Sequence, residues 1–297
     1  MITHEIYLYI LENKKNWISL SGGISNNVYK FNNKYIIKII NKLNDNLFLS
    51  LTNYNIILEK FDTTLYLDKI NNIIIEKYIE GEIVPDYKLY EQKFCHDIFK
   101  KIDTHLYLSN YPIDKNNVIK LYIGQLSNYI EQNNLANENY FLIKNLITPN
   151  IINLLENDEP KLYFSHCDIQ KYNIIIDKNN QINFIDYEYS GYTWKYFDHV
   201  NFIILLFNEA ISNQKDKITV ENIKKYFNFD FYKNIILSQY TDITLEYFNS
   251  MCLISLYTWY LWSIVKSNIN FNQIYLTYAK QINKIIDFII FTILNKI

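Results

Sequence analysis

The sequence predicts an α+β chain in two lobes, a small β-rich N-terminal lobe over residues 1–80 and a larger, mostly helical C-terminal lobe over residues 81–297. Three patterns predict this. The first third carries short β-branched runs separated by turns, and from about Tyr87 apolar residues recur at three- and four-residue spacing. One strand-rich block, Lys161–Tyr189, interrupts the helical region.

In chain order, Asn26–Phe31 and Lys34–Ile40 read as strands, and Asn32-Asn33 between them reads as a hairpin turn. Ile73–Tyr78 is a third apolar strand, ending at Glu80-Gly81-Glu82, a natural hinge between the lobes. Tyr87–Leu106, Lys115–Gln132 and Tyr140–Glu156 follow as helices. After the strand-rich block the chain is helical to its end, with Leu245–Ser267 and Asn272–Lys296 the longest elements. No internal repeat is present, and Asn-rich spots such as Asn179-Asn180 are turn chemistry.

Composition narrows the classes. The formal charge is −2, so no basic face is forced, and nucleic acid is not an expected partner. Hydrophobic residues make up 49% and charged residues 20%, which fits a folded protein and not a disordered one. The chain has no Arg, and its only Ala residues are Ala136, Ala210 and Ala279, while Asn, Ile, Lys and Tyr are heavily used. That usage follows A/T-rich codons, so a lone Tyr, Asn or Lys says little about function. Cys95, Cys167 and Cys252 are far apart without C-x-x-C spacing, as expected of reduced thiols in the cytoplasm. The N-terminal residues lack a basic start with a long apolar core, and the apolar runs are short or broken, so neither a signal peptide nor a membrane span is expected.

The strongest chemical signal is Ser165-His166-Cys167-Asp168-Ile169-Gln170-Lys171-Tyr172-Asn173, followed by Ile174–Ile176, a turn at Asp177–Gln181, and Phe184-Ile185-Asp186. This is H-x-D-x-x-x-x-N, then a hairpin ending in Asp. Phosphoryl transfer needs a carboxylate beside the attacking hydroxyl and metal ligands beside the phosphates. A tight loop sets Asp168 and Asn173 on one rim, and the hairpin returns Asp186 to it. Asp168 is the expected proton acceptor, with Asn173 and Asp186 as the other catalytic residues and as Mg²⁺ ligands. Glu188, two residues on, is a further candidate metal ligand.

Upstream, Ser21-Gly22-Gly23-Ile24-Ser25-Asn26 precedes a strand, and glycines let backbone N–H groups approach phosphate oxygens. One strand later, Lys38 interrupts an apolar run where a phosphate-binding ammonium belongs. Ser21, Gly22, Gly23, Ser25, Asn26, Lys38 and Gln170 are therefore the candidate ATP-binding residues.

Together these motifs resemble the protein kinase-like two-lobe fold in its small-molecule branch. Ile185-Asp186-Tyr187-Glu188-Tyr189 with Phe197-Asp198-His199-Val200-Asn201 is similar to a signature of choline and ethanolamine kinases. Trp259-Tyr260-Leu261-Trp262-Ser263 and Tyr275-Leu276-Thr277-Tyr278-Ala279 are similar to that family's C-terminal segments. The resemblance implies an ATP- and Mg²⁺-dependent kinase acting on the hydroxyl of choline or ethanolamine, the first step of phosphatidylcholine and phosphatidylethanolamine synthesis. It implies that Tyr189, Trp259, Trp262 and Tyr278 line the amine pocket, because a quaternary ammonium is recognised by aromatic faces and a carboxylate. Asp198 and Asn201 brace the catalytic loop, and Cys167 is structural. A homodimer is common in that family, although no interface motif is readable here. Kinases of this fold pair the strand lysine with a helix acid, whereas Asn46–Asn53 holds none, Asp45 comes early and Glu59 late. Two alternatives stand beside this reading. One is an aminoglycoside, thiamine or sugar phosphotransferase, which needs acidic or polar pockets and not paired Trp. The other is an inactive pseudokinase that binds amines or partner proteins.

Overall fold

The computed structural model describes residues 2–20, 26–40, 64–68, 70–106, 116–158, 162–212, 219, 223–270 and 272–294. Ser21, Gly22, Gly23 and Ser25 lie outside the described residues, as do Asp45, Glu59 and the Asn46–Asn53 stretch. The chain divides into two compact units, one of Met1–Lys88 with Tyr172–Ser190 and one of Leu89–Lys171 with Gly191–Ile297.

The first unit opens with α1 (His4–Glu12), whose N-cap Thr3 accepts the Ile6 N–H. Strands β1 (Ile18–Leu20), β2 (Asn26–Phe31), β3 (Tyr35–Ile40), β4 (Thr64–Asp68) and β5 (Ile73–Lys77) form an antiparallel sheet in the order β1-β2-β3-β5-β4. Asn32 and Asn33 join β2 to β3 with φ of 51° and 50°. Positive φ at both central residues is the type I′ pattern, whose twist matches that of the flanking strands. Side chains alternate across the sheet. One face presents Phe31, Tyr35, Ile37, Ile73 and Ile75 to Tyr7 and Ile10 of α1. The opposite parity places Lys38, Ile74 and Glu76 on the other face.

The same unit contains a second sheet of β6 (Gly81–Ile83), β8 (Ile174–Asp177) and β9 (Ile182–Phe184) in the order β6-β8-β9. Glu80-Gly81-Glu82, expected as a hinge, thus contributes a strand, with Gly81 opposite Asp177. The expected turn after β8 is built by Asp177, whose Oδ1 accepts the N–H groups of Asn179 and Gln181.

The second unit is mostly helical: α2 (Gln92–Leu106), α3 (Val118–Gln132), α4 (Glu138–Leu146), α5 (Ile152–Asp158), α6 (Phe197–Ser212), α7 (Phe229–Gln239), α8 (Leu245–Asn270) and α9 (Gln273–Leu294). Its core helix is α8, buried on nearly every side from Tyr247 to Lys266 and packed against α3, α6 and α9. The helix expected over Tyr140–Glu156 is two helices joined by a π-helical segment, Ile147–Ile151. Pro149 lies in that segment and lacks the N–H that a continuous α-helix requires. A two-stranded pair, β7 (Leu162–Ser165) with β10 (Gly191–Trp194), brings Ser165 opposite Gly191. The H-x-D loop therefore leaves β7 near the start of α6. Among the described residues no helix is long and apolar enough to cross a membrane.

Candidate active site

Lys38 in the first unit is held between two carboxylates. Its Nζ lies 2.7 Å from Asp186 Oδ1 and 3.0 Å from Glu76 Oε2. Only 8% of the Lys38 side chain and 7% of the Glu76 side chain is exposed. Sheet register explains the Glu76 contact. Glu76 pairs with Ile36 and Lys38 with Ile74, so the two charges are diagonal neighbours on one face of β3 and β5. Burial opposes the Lys38 ammonium, but Asp186 and Glu76 outweigh it and raise its pKa above the usual lysine value. Burial pushes the Glu76 carboxyl up, Lys38 pulls it back in part, and Asp186 adds to the rise. Among the described residues, the acids beside Lys38 are Glu76, from a strand, and Asp186. Two charges interrupting apolar runs on neighbouring strands were the signal for Glu76.

The β8–β9 hairpin brings Asn173 and Asp186 to one end of the same unit. Ile174 pairs with Phe184, and the next rung is the Ile185 N–H donated to the Asn173 carbonyl at 3.0 Å. Asp186 follows at φ 67°, a left-handed conformation rare for a non-glycine residue. Glu188 and Tyr189 continue in a short 3₁₀ turn, Tyr187–Tyr189. Among the described residues no three His, Cys, Asp or Glu side chains gather as a metal cluster. The expected magnesium set thus depends on the Asn173 amide oxygen beside the two acids. Asn26 begins β2.

The second unit contains the H-x-D loop. Asp198, in the first turn of α6, accepts the His166 and Cys167 N–H groups at 2.6 and 2.7 Å. Asn201 donates Nδ2 to the Cys167 carbonyl at 3.0 Å. These three bonds grip Cys167 at φ 66°. His166 is fully buried, and its Nδ1 accepts the Asp168 N–H at 3.3 Å. Asp168 is buried, and its Oδ2 accepts from Gln170 Nε2 at 3.2 Å. Burial and the nearby charges of Asp198 and Asp168 push the Cys167 thiol well up, so it is a packed side chain and not a thiolate.

Three of the four expected aromatic residues lie together in this unit. Trp259 and Trp262, one turn apart on α8, meet edge to face at 5.7 Å. Trp262 meets Tyr278 of α9 at 6.4 Å and Tyr275 at 5.5 Å, both T-shaped. Trp259 Nε1 donates to Asn201 Oδ1 at 2.9 Å, which ties this cluster to the residue holding the H-x-D loop. Tyr278 is pushed up by burial and by the negative charges of Asp168 and Glu209, with Asn208 hydrogen-bonded to its phenol. The fourth aromatic, Tyr189, belongs to the first unit.

A small sheet carrying a buried lysine, an H-x-D loop braced by a helix and a hairpin leading to Asp186 define a protein kinase-like fold. Residues 18–287 match the choline/ethanolamine kinase family, and the chain belongs to that family. Solved structures agree in fold. Choline kinase LicA from Streptococcus pneumoniae is 18% identical over 94% of this chain and 98% of its own, with a TM-score of 0.65. An ethanolamine kinase from Plasmodium vivax is 14% identical over 94% of this chain and 86% of its own, at 0.67. The gentamicin complex of APH(2")-IIa is 16% identical over 95% of this chain and 96% of its own, at 0.56. No curated protein sequence matches the chain.

Proposed function

We propose that this protein is an ATP-dependent kinase that phosphorylates the hydroxyl of choline or ethanolamine. The observation that carries the reading is the Trp259, Trp262, Tyr275 and Tyr278 cluster, joined through Asn201 to the loop that bears Asp168. Aromatic faces attract an amine cation, and they suit most of all a quaternary ammonium, which cannot donate an N–H bond. The buried Asp168 takes the hydroxyl proton as the substrate oxygen bonds to the γ-phosphorus and the bond to ADP breaks. Lys38 carries a fixed positive charge for the phosphates. Asn173, Asp186 and Glu188 would hold magnesium through their hard side-chain oxygens, beside the Lys38 ammonium that Asp186 Oδ1 accepts from. Magnesium, when bound, neutralises phosphate charge.

The test is a coupled ADP-release assay with choline, ethanolamine, aminoglycosides, thiamine and sugars, with and without EDTA. Turnover is expected with the amino alcohols and is lost in EDTA. Asp168→Ala abolishes it and leaves ATP affinity largely intact. Near-normal turnover in that variant refutes the assignment of the base, and turnover only with an aminoglycoside or sugar refutes the substrate class.

A further inference from the structure

His199 is fully buried in the first turn of α6, next to the Asp198 that holds the H-x-D loop. We infer that His199 is a positioning residue for phosphoryl transfer: clamped by Asp103 and Tyr240, it fixes the angle at which α6 presents Asp198 to that loop. The inference rests on the kinase reading with Asp168 as proton acceptor, and not on which alcohol is the substrate.

Three segments far apart in sequence meet at the imidazole. Its Nε2 lies 3.0 Å from Asp103 Oδ1 of α2 and 3.0 Å from the hydroxyl of Tyr240, the residue that ends α7. A carboxylate only accepts, so Nε2 carries the hydrogen. Burial and the charge of Asp103 hold the Tyr240 phenol above its usual pKa. Its hydroxyl therefore donates to the same carboxylate, at 3.1 and 3.0 Å from the two oxygens. Phe99 of α2, Tyr196 and Tyr240 pack around the ring at centroid distances of 5.4, 5.4 and 4.9 Å. A second bond joins α2 to α7, where His96 Nδ1 meets Gln239 Oε1 at 2.8 Å.

Two features argue that this clamp is more than packing. With Nε2 as donor, Nδ1 is a buried acceptor, and among the described residues it has no hydrogen-bond partner. That costs free energy which an apolar side chain would not lose. Tyr196, just before α6, has φ 65°, an outlier for so bulky a residue. Its hydroxyl donates to Asp242 at 2.7 Å and its ring meets Tyr240 at 4.8 Å, so the strained turn is pinned to the segment that clamps His199. Successive helix residues point about 100° apart. Asp198 thus grips the loop from one side of the turn while His199 is gripped on another. Loosening the clamp lets that turn rotate, and the His166 and Cys167 N–H groups that anchor the loop of Asp168 move with Asp198.

The experiment measures ADP release by the full chain with Mg-ATP and choline, ethanolamine or another alcohol of the panel above, whichever wild type turns over fastest. His199→Leu is expected to lower kcat about tenfold and to move the KM of ATP by less than about twofold. His199→Gln keeps an N–H donor for Asp103 and is expected to recover kcat to within about threefold of wild type. Tyr240→Phe lowers kcat, and combined with His199→Leu it adds less than its own single loss, because both act through Asp103. Thermal melts give the folded fraction of each variant, and rates are referred to folded enzyme. Should His199→Leu not fold, Asp103→Asn takes its place in the cycle with Tyr240→Phe, with the same loss expected. A folded His199→Leu or Asp103→Asn enzyme with the kcat of wild type overturns the inference. Equal losses in the Leu and Gln variants, additive losses in the cycle, or a loss carried by the KM of ATP overturn it too. Wild type inert towards every alcohol overturns the kinase reading itself, and the inference with it.

Discussion

The buried pair of Lys38 and Glu76 gives a quantitative test of how the sheet is charged. At 3.0 Å and an effective dielectric constant of about 20, the gross attraction is 332/(20 × 3.0), or about 5.5 kcal/mol. Desolvation of both groups offsets much of it. Removing one partner of such a pair costs about 3–5 kcal/mol, because the other charge is left buried. Glu76→Leu leaves Lys38 with Asp186 at 2.7 Å, so its cost belongs at the lower end, about 3 kcal/mol. Lys38→Met leaves Glu76 and Asp186 without their shared cation and costs about 4 kcal/mol. The double variant puts apolar side chains at both positions, so it is expected to cost less than the sum by about 2 kcal/mol or more. Urea unfolding at neutral pH measures all four corners of the cycle. Additivity within about 0.5 kcal/mol refutes the coupling. The pH dependence supplies a second readout. The raised Lys38 pKa gives a contribution fully present below the ordinary lysine value of 10.5 and lost as pH rises through the higher folded value. Wild type therefore loses stability in that alkaline range, and the Lys38→Met variant lacks that component of the loss.

Other expectations follow from particular contacts. Asp198→Ala strands two buried loop N–H groups, now held at 2.6 and 2.7 Å, and should lower stability by about 2–4 kcal/mol while depressing turnover more than ATP affinity; urea midpoints and kcat measure both. A Cβ on Gly81 would lie 2.3 Å from the Ile176 carbonyl oxygen, whereas one on Gly124 of α3 meets nothing within 4 Å. Gly81→Ala should therefore destabilise by about 1–3 kcal/mol, and Gly124→Ala should stabilise by about 0.5–1 kcal/mol; the opposite order of Tm values contradicts this. Burial pushes the Cys95 thiol up to about 12 and raises Cys167 and Cys252 as well. A thiol reagent at pH 8 should find none of the 3 cysteines in the native protein and all of them in urea.

The parts of the fold legible in the sequence were those with a local cause. Asn32-Asn33 announces the β2–β3 hairpin because two adjacent asparagines tolerate positive φ. Asp177 announces the β8–β9 turn because its carboxylate can accept from the N–H groups of the residues just after it. Elements without a local pattern were missed. Strand β1 has three exposed residues and β10 four buried ones, so neither shows the alternation that marks a half-buried strand. Glu76 was passed over because its meaning lies in register, which pairing with β3 sets and the β5 residues alone do not. Glu209 and Lys171 depend likewise on packing between segments far apart in sequence. One charged residue on a helix face usually means solvent, and only the contact at 3.7 Å makes these two a pair.

The start of α6 links the H-x-D loop to the Trp259 cluster more tightly than either motif suggests by itself. Asp198 and Asn201 are three residues apart and face the same way. Asp198 takes the two loop N–H groups, and Asn201 is satisfied on both sides of its amide. Its Nδ2 holds the Cys167 carbonyl, while its Oδ1 accepts from Ser255 at 2.7 Å and Trp259 at 2.9 Å. A buried amide with all these partners has one orientation, since a flip would set donor against donor. The position of Asp168 and the tilt of Trp259 are therefore not independent. Any substitution that turns Asn201 moves the loop bearing Asp168 and the Trp259 ring together. On the proposed function, selectivity for the amine and the rate of proton removal would share one fulcrum. Losses at Asn201 should appear in kcat and KM jointly.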